Sequence, residues 1–345
     1  MLQADEIITL SKGSYSLRSL MAGSAYGIIW RASAFDGGPD VALKLINRVQ
    51  MERTDRSLQT RWIASANTEI DFLGALAPWD ERHIVRLLDS GVHDGLPVMA
   101  LELLETDLGR HMAECRPAPL QILGWVAQIN QALAKVHQSG WLYLDLKPAN
   151  VLLTRHGAVK LADFGTNRLR SALPADAYAG TASWQAPEQF FPNPQQRYDT
   201  DQRSDYFALG ALFYFLVTGV PLRFCVECGH AYRRHQHGAP SALLALWGGT
   251  MGPTLPEDEA AHFVQRFSGL DADATWCPAA GNPAADAALA LLRTLLAADR
   301  DGRPQHALHI SRMLAAISAR LHPCAPAPYA RRDLAPAGHP ARGRA

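Results

Sequence analysis

The segment Tyr143–Leu153 reads Y-L-D-L-K-P-A-N-V-L-L, and Leu161–Gly165 reads L-A-D-F-G shortly afterwards. Asp145 and Asn150 lie on one short predicted loop, and Asp163 begins the next loop, after a predicted strand–turn–strand. Two carboxylates and an amide oxygen on adjacent loops form a hard-oxygen site, which suits Mg²⁺. A single aspartate in a loop is more often a turn cap. The pairing of these two loops across a hairpin favours a joint catalytic role.

Composition and charge describe a globular chain. Of its 345 residues, 48% are hydrophobic and 19% are charged, which is typical of a folded protein. The formal net charge is zero, so bulk charge favours neither nucleic acid nor an anionic membrane as a partner. The longest apolar stretches, such as Leu209–Val217, are too short to span a bilayer. Met1–Leu10 lacks a signal-peptide pattern, and the five cysteines are unevenly spaced. These features predict a cytoplasmic protein.

Hydrophobic periodicity divides the chain into a small β-rich part, residues 14–103, and a larger α-rich part, residues 104–320. The β-rich part holds one helical segment, Trp62–Leu76. The predicted strands are Ile28–Ala32, Val41–Ile46, Ile84–Asp89 and Val98–Leu103. The predicted helices of the second part are Leu120–Gln138, Tyr206–Val217, Ala285–Ala297 and Gln305–Ala319. Residues 321–345 are rich in Pro, Ala and Arg and are expected to form a disordered tail.

Further motifs occur in a fixed order on this framework, with Glu69 in the predicted helix. They are L-M-A-G-S-A-Y-G-I-I-W-R-A (Leu20–Ala32), V-A-L-K (Val41–Lys44), G-T-A-S-W-Q-A-P-E (Gly180–Glu188), D-Y-F-A-L-G (Asp205–Gly210) and D-G-R-P (Asp301–Pro304). With the two opening segments, the chain resembles the eukaryotic-like (Hanks-type) serine/threonine protein kinases, and among them a soluble bacterial member. The resemblance implies an α+β, bilobal protein kinase fold, with a β-rich N-lobe over 14–103 and a helical C-lobe over 104–320.

The resemblance also implies roles in phosphoryl transfer, in which a triphosphate is held in line with a hydroxyl and its charge is neutralised. Asp145 is the expected base that orients the acceptor hydroxyl, and Lys147 is expected to reach the transferring phosphate. Asn150 and Asp163 are the expected Mg²⁺ ligands. The residues expected to form the ATP site are Ala22, Ser24, Gly27, Ile29, Ala42, Lys44, Glu69, Glu102 and Leu104.

Lys44 and Glu69 are expected to form an ion pair that directs Lys44 toward the α- and β-phosphates. A lone lysine on a strand is usually a solvated edge charge, but Lys44 lies between apolar residues on both sides. For the helical partner, Asp71 stands two residues from Glu69 as an alternative. The resemblance assigns structural roles as well. It predicts an ion pair between Glu188 and Arg303, Asp205 as an anchor of the catalytic loop, and Thr181 near the catalytic residues.

Two departures from the family pattern concern nucleotide binding and control. The three glycines usual in the nucleotide loop correspond to Ala22, Ser24 and Gly27, and only the last is glycine. Because glycine permits close backbone approach to phosphate, we expect a weakened ATP affinity. The family's H-R-D triplet is Tyr143-Leu144-Asp145 here. Tyr143 is expected to pack against Phe164 as the histidine does.

Leu144 replaces an arginine that pairs with a phosphorylated activation-segment residue, and a leucine cannot do so. We therefore expect a kinase that does not depend on activation-loop phosphorylation. Candidate phosphoacceptor hydroxyls are still present in this segment. They are Thr166, Ser171, Tyr178 and Thr181.

The segment from about 223 to 283 looks longer than the usual linker and is interpreted as an insertion. Cys225, Cys228, His235 and His237 have the character of zinc ligands. The alternative, which the short spacing favours, is a surface loop with incidental thiols.

Three functions are compatible with these patterns. The first is an ATP- and Mg²⁺-dependent protein serine/threonine kinase. The second is a pseudokinase that acts as a nucleotide-binding scaffold or allosteric regulator. The third is a small-molecule kinase, against which the Gly180–Glu188 segment argues because it resembles a protein-substrate docking surface. The expected partners are ATP, a protein substrate and a separate regulatory protein, with no nucleic acid and no membrane.

Overall fold

A computed structural model of the chain describes residues 2–24, 26–172, 180–270 and 282–321. The strands are β1 (Ile7–Thr9), β2 (Ser14–Gly23), β3 (Gly27–Ala34), β4 (Val41–Ile46), β5 (Leu87–His93), β6 (Leu96–Glu102), β7 (Thr106–Asp107), β8 (Trp141–Leu142), β9 (Val151–Leu153), β10 (Val159–Leu161) and β11 (Arg168–Leu169). The helices are α1 (Arg48–Met51), α2 (Arg56–Gly74), α3 (Leu108–Glu114), α4 (Pro119–Gln138), α5 (Pro187–Phe190), α6 (Gln202–Thr218), α7 (Arg223–His235), α8 (Ala239–Leu246), α9 (Glu257–Gly269), α10 (Pro283–Leu295) and α11 (Ala307–Leu321). The tail predicted to be disordered lies outside the described residues, apart from Leu321 at the end of α11.

The N-lobe is a six-stranded antiparallel sheet in the order β1-β2-β3-β4-β6-β5. Along β4, Val41, Leu43 and Leu45 are buried in a core on one face, while Ala42 and Lys44 point to the other face. This alternation follows from the two-residue period of a strand. The sheet begins earlier than the predicted lobe boundary at residue 14, because β1 pairs with β2. The Lys12 N–H donates to Asp89 at 3.0 Å, so the segment after β1 joins β5 at the opposite edge.

Two elements of the N-lobe differ from the predicted boundaries. Helix α2 begins at Arg56 rather than Trp62, because the Asp55 side chain accepts two backbone N–H groups and caps the first turn. Strand β5 runs over Leu87–His93, and the predicted strand 84–89 was placed too early. The apolar residue Ile84 instead forms an isolated bridge to Leu161 of the C-lobe. The start of that apolar run therefore joins the two lobes.

The C-lobe is built around α6, whose residues are buried on nearly all sides, as expected of a helix that is apolar all round. The four predicted C-lobe helices are present as α4, α6, α10 and α11, with each end within four residues of its predicted position. In the described part of the chain, no single helix is long and apolar enough to cross a bilayer. Helix α6 and the α7–α8 segment together have the length and apolar composition of a membrane span, but the pair is bent by 112°.

Three short strand pairs place the central loops between the lobes. β9 and β10 form an antiparallel hairpin, and β7 pairs with the other side of β9. β8 pairs with β11, which holds residues 143–150 and 163–167 beside each other. The hairpin inferred from the sequence therefore brings the two predicted loops to one place.

Candidate active site

The loop that begins at Tyr143 is anchored by a buried carboxylate in α6. Asp205, which is 1% exposed, accepts the N–H of Tyr143 at 3.0 Å and the N–H of Leu144 at 2.7 Å. His137 of α4 lies 2.8 Å from the same carboxylate. Leu144 has a φ of 63°, a conformation that is costly for a leucine. The two hydrogen bonds hold this strained residue in place and so set the position of Asp145.

Asp145 lies at the centre of a network of donors. Its carboxylate accepts from Thr181 Oγ1 at 2.7 Å, from Lys147 Nζ at 2.8 Å and from Asn150 Nδ2 at 3.1 Å. Lys147 also donates to Thr181 at 2.8 Å, which closes the triangle. Burial raises the pKa of Asp145, and the Lys147 charge opposes that shift. A carboxylate held at this depth by these donors can accept a proton from a hydroxyl brought to it.

A second charged cluster forms around Lys44 and includes Asp163, which lies on the loop that follows β10. Lys44 Nζ is 2.7 Å from Glu69 Oε2 and 2.7 Å from Asp163 Oδ1. Glu69 is 1% exposed, whereas Asp71 is exposed, so the structure places the first of the two acidic residues on the lysine. The Lys44 charge holds the pKa of Asp163 below its ordinary value. Strand β4, helix α2 and the Asp163 loop thus meet at one ion-paired point.

Aromatic packing joins the two loops to α2. The Phe164 ring stacks on Phe72 of α2 with centroids 4.7 Å apart, and it meets Tyr143 edge-on at 5.1 Å. The Tyr143 hydroxyl donates to the Ala162 carbonyl. The predicted packing of Tyr143 against Phe164 is therefore confirmed. Because Glu69 and Phe72 are on the same helix, the position of α2 is coupled to both loops.

The geometry agrees with comparisons to known proteins. A family model described as the protein kinase domain matches residues 18–313. The chain belongs to the protein kinase family. Similar curated relatives include serine/threonine-protein kinase PknL of Mycobacterium tuberculosis, 28% identical over 240 residues, which covers 68% of this chain and 57% of PknL.

Two further relatives show how widely the similarity extends. The probable serine/threonine-protein kinase PknB of Corynebacterium glutamicum is 28% identical over 221 residues, covering 60% of this chain and 32% of PknB. Cyclin-dependent kinase 20 of Rattus norvegicus is 29% identical over 213 residues, covering 60% of this chain and 58% of that kinase. The chain therefore spans between 32% and 58% of the length of these relatives.

The kinase fold places the predicted nucleotide residues around one face of the N-lobe sheet. Ile29 is directly opposite Lys44 in the β3–β4 pair, and Ala42 is two residues from Lys44, so the three share a face. Met99 of β6 also pairs with Lys44. Met99 is not among the residues predicted for the nucleotide site, although the strand alternation around Val98 and Ala100 places it on the same face as Lys44.

Glu102 and Leu104 follow at the junction of the lobes, where β6 ends. The Glu102 side chain accepts from Lys160 Nζ at 2.5 Å and from the Arg86 N–H at 2.8 Å. Its carboxylate is therefore occupied within the protein, and its N–H donates to the Arg86 carbonyl at 3.0 Å. Leu104 packs, half-buried, against the main core.

Hydrogen bonds of polar side chains, rather than glycines, close the turn of the nucleotide loop. Ser24 Oγ accepts the N–H of Tyr26 at 3.2 Å and of Gly27 at 3.1 Å. Asn47 donates to the Ser24 carbonyl at 2.8 Å, and the Tyr26 ring meets Trp62 of α2 at 5.0 Å. Ser24 thus stabilises a defined turn although it stands where the family has a glycine. Ala22 lies on β2, opposite Ile29.

Replacing Ala22 by glycine is expected to tighten Mg²⁺-ATP binding by roughly threefold or more, because the backbone can approach phosphate more closely. Ser24→Gly is expected to increase the affinity for Mg²⁺-ATP less, because it also removes two hydrogen bonds of the turn. The dissociation constant of a fluorescent ATP analogue measures both. Ala34→Gly, at the far end of β3, is the matched control. An unchanged affinity in both variants would contradict the expected weakening.

The predicted zinc ligands do not converge. Cys225 and Cys228 are both 0% exposed, since their i, i+3 spacing puts both thiols on the buried face of α7. Burial raises the pKa of each thiol, which disfavours the thiolate that zinc requires. His235 and His237 are exposed. Over the described residues, no group of three or more His, Cys, Asp or Glu side chains is placed to hold a metal.

The zinc hypothesis is therefore wrong, and so is the alternative of a surface loop. The described part of the segment between 223 and 283 is mainly helical, as α7, α8 and α9. Its two thiols belong to the main hydrophobic core. The remaining residues of the predicted insertion, 271–281, lie outside the described part of the chain.

Gly229 links α7 to the network around Asp145. A Cβ added at Gly229 would overlap Ser183 Oγ and lie 3.1 Å from Ser183 Cβ. Ser183 belongs to the short Ala182–Trp184 turn, which directly follows Thr181. Trp184 packs edge-on against Phe215 of α6 at 5.6 Å. Because the turn lies between α6 and α7, it has little room to move when α7 gains a side chain.

Gly229→Ala is therefore expected to reduce the rate of phosphoryl transfer roughly ten- to a hundredfold by displacing Thr181. The substitution itself favours the helix by about 1 kcal/mol, so weaker helix formation is not the cause. Ser183→Gly in the same chain should restore the rate, and Ser183→Ala should restore it partly. If Ser183→Gly gave no recovery, the close contact would not be the reason for the loss.

Proposed function

We propose that this chain is a protein serine/threonine kinase that transfers the γ-phosphoryl group of ATP to a protein hydroxyl without activation-loop phosphorylation. One observation carries the proposal. Lys44, Glu69 and Asp163 form a closed ion-paired cluster, while Lys147 and Thr181 are bonded to Asp145. The charged groups of the site are held by contacts with one another, and Leu144 offers no cation through which a phosphate could order them.

The donor set fits Mg²⁺-ATP. Asn150 directs its amide nitrogen to Asp145, which leaves the amide oxygen for a cation. Asn150 and Asp163 would hold the metal, and Lys44 would hold the phosphates. When bound, the metal neutralises charge on the transferring phosphoryl group. Asp145 would orient the acceptor hydroxyl and take its proton, and Lys147 would stabilise negative charge beside it.

A noncatalytic scaffold is the alternative, motivated by Ala22 and Ser24 in the nucleotide loop. The catalytic proposal is favoured because Ser24 closes that turn and every charged side chain of the site is present. The packing of the Ala182–Trp184 turn between α6 and α7 supports a protein rather than a small-molecule acceptor, since it forms a fixed surface beside Asp145. A separate protein that controls the kinase remains part of the proposal.

The surroundings of Leu144 support the proposed independence from activation-loop phosphorylation. This residue is 3% exposed and presents no cation to a phosphate. Among the four candidate phosphoacceptors, Thr181 already donates its hydroxyl to Asp145, and Thr166 donates to the Tyr143 carbonyl at 3.4 Å. Tyr178 lies outside the described residues.

Kinase treated with phosphatase and shown by mass spectrometry to carry no phosphate is expected to keep its initial rate, with no lag. Thr166→Val and Ser171→Ala variants should show the same time course. If the treated enzyme lost activity and regained it as loop phosphate accumulated, the proposed independence would be wrong, although the kinase assignment would stand.

A further inference from the structure

The C-terminal end of α7 presents an unusual concentration of basic side chains. His230, Arg233, Arg234, His235 and His237 are all exposed. The chain has no Asp or Glu between positions 228 and 256, although its overall formal charge is zero. The segment 228–256 therefore carries charge of one sign only, within a chain that is neutral as a whole.

The nearest acidic residues along the chain do not pair with Arg233 or Arg234. Glu227 accepts the Trp247 indole N–H at 2.9 Å, and Asp258 pairs with Arg223. In the described residues, no salt bridge joins Arg233 or Arg234 to a carboxylate. Basic residues in the last turn of a helix do complement its dipole. That effect does not account for His237, which follows the helix, or for the 29 consecutive positions without Asp or Glu.

The location of the patch relates it to the catalytic residues. Gly229 contacts Ser183, and Arg233 lies one helical turn further on the same side of α7, about 6 Å along the axis. The Ala182–Trp184 turn follows Thr181, whose hydroxyl is 2.7 Å from Asp145. The path from the Asp145 carboxylate to Arg233 is therefore at most roughly 20–25 Å, which an extended peptide covers in about six or seven residues.

We infer that Arg233 and Arg234, with the neighbouring histidines, form a docking surface for an acidic stretch of the protein substrate. The inference rests on the proposed kinase function and specifies its substrate class. The acidic residues would lie about six positions from the phosphorylated serine or threonine. Charges of this kind in a solvent-exposed setting select among partners and contribute modestly to affinity.

Two serine peptides test the inference, identical except that one carries four glutamates and the other four glutamines about six residues from the serine. The kcat/KM ratio of acidic to neutral peptide is measured for wild type and for Arg233→Ala/Arg234→Ala. We expect the ratio to fall threefold to tenfold in the variant. The control variant Arg312→Ala/Arg320→Ala removes two exposed arginines from α11 and should keep the wild-type ratio.

Fluorescence anisotropy of the labelled peptides, without ATP, measures docking separately from phosphoryl transfer. The acidic peptide should bind wild type more tightly than the variant, and raising the salt from 50 to 300 mM should remove the difference. Equal binding of both peptides to wild type, or equal effects of the two double variants, would overturn the inference. Acidic-peptide binding without any phosphoryl transfer would support docking and contradict the kinase proposal instead.

Discussion

Replacing Arg303 by alanine is expected to lower the free energy of unfolding by about 3–5 kcal/mol. The Arg303 side chain is 0% exposed and pairs with Glu188 through two hydrogen bonds, Nη1–Oε1 at 2.7 Å and Nη2–Oε2 at 3.0 Å. It also donates to the carbonyls of Ala297, Ala298 and Arg203. Truncation would leave a largely buried carboxylate and three carbonyls without these donors. The loss of stability comes from keeping these polar groups away from water without their hydrogen bonds.

The matched control is Arg293→Ala. Arg293 pairs with Glu257, but the two side chains are 52% and 85% exposed, so its loss should cost less than about 1 kcal/mol. Urea unfolding followed by circular dichroism measures both variants. The double variant Glu188→Gln/Arg303→Met should cost less than Arg303→Ala alone, because it leaves no buried charge unpaired. Equal destabilisation by Arg303→Ala and Arg293→Ala would contradict the structural role of the pair.

The main features of the fold were predictable because they depend on local patterns. Strand β4 matches the predicted Val41–Ile46 at both ends. The segment is mostly apolar and has polar residues on both sides, so its ends are well marked in the sequence. The beginning of α2 was missed because its first turns are exposed and polar. Asp55, the cap that marks it, was visible in the sequence. The shift of β5 was not predictable from periodicity, because Ile84 pairs with a strand of the other lobe.

The two clusters around Asp145 and Asp163 were predictable as a set of residues, since their members lie in ordered motifs. Their contacts depend on long-range packing that the motifs do not contain. The choice of Glu69 over Asp71 follows from which side of α2 faces Lys44. The Cys225–Cys228 spacing was misread because the same i, i+3 pattern serves a metal site in a loop and a buried face in a helix. Only the packing of α7 against Ser183 explains Gly229.

Asp163→Ala is expected to reduce phosphoryl transfer by at least about a thousandfold. The substitution removes a proposed metal ligand and one of the two carboxylates that hold Lys44. Asp163→Asn should lose nearly as much, because the charge is lost while the shape is kept. Asp71→Ala removes an exposed carboxylate from the neighbouring helix α2 and is expected to leave the rate unchanged. Thermal unfolding of all three variants tests whether the differences in rate come from loss of fold.

The most direct test of the kinase assignment is transfer of labelled γ-phosphate from Mg²⁺-ATP to an acidic and to a basic acceptor protein. The measurement compares wild type, Asp163→Ala and Asp71→Ala, followed by phosphoamino-acid analysis. The expected result is label on serine or threonine with wild type and Asp71→Ala, and label at background with Asp163→Ala. Equal labelling by wild type and Asp163→Ala, or none above background with wild type, would contradict the assignment.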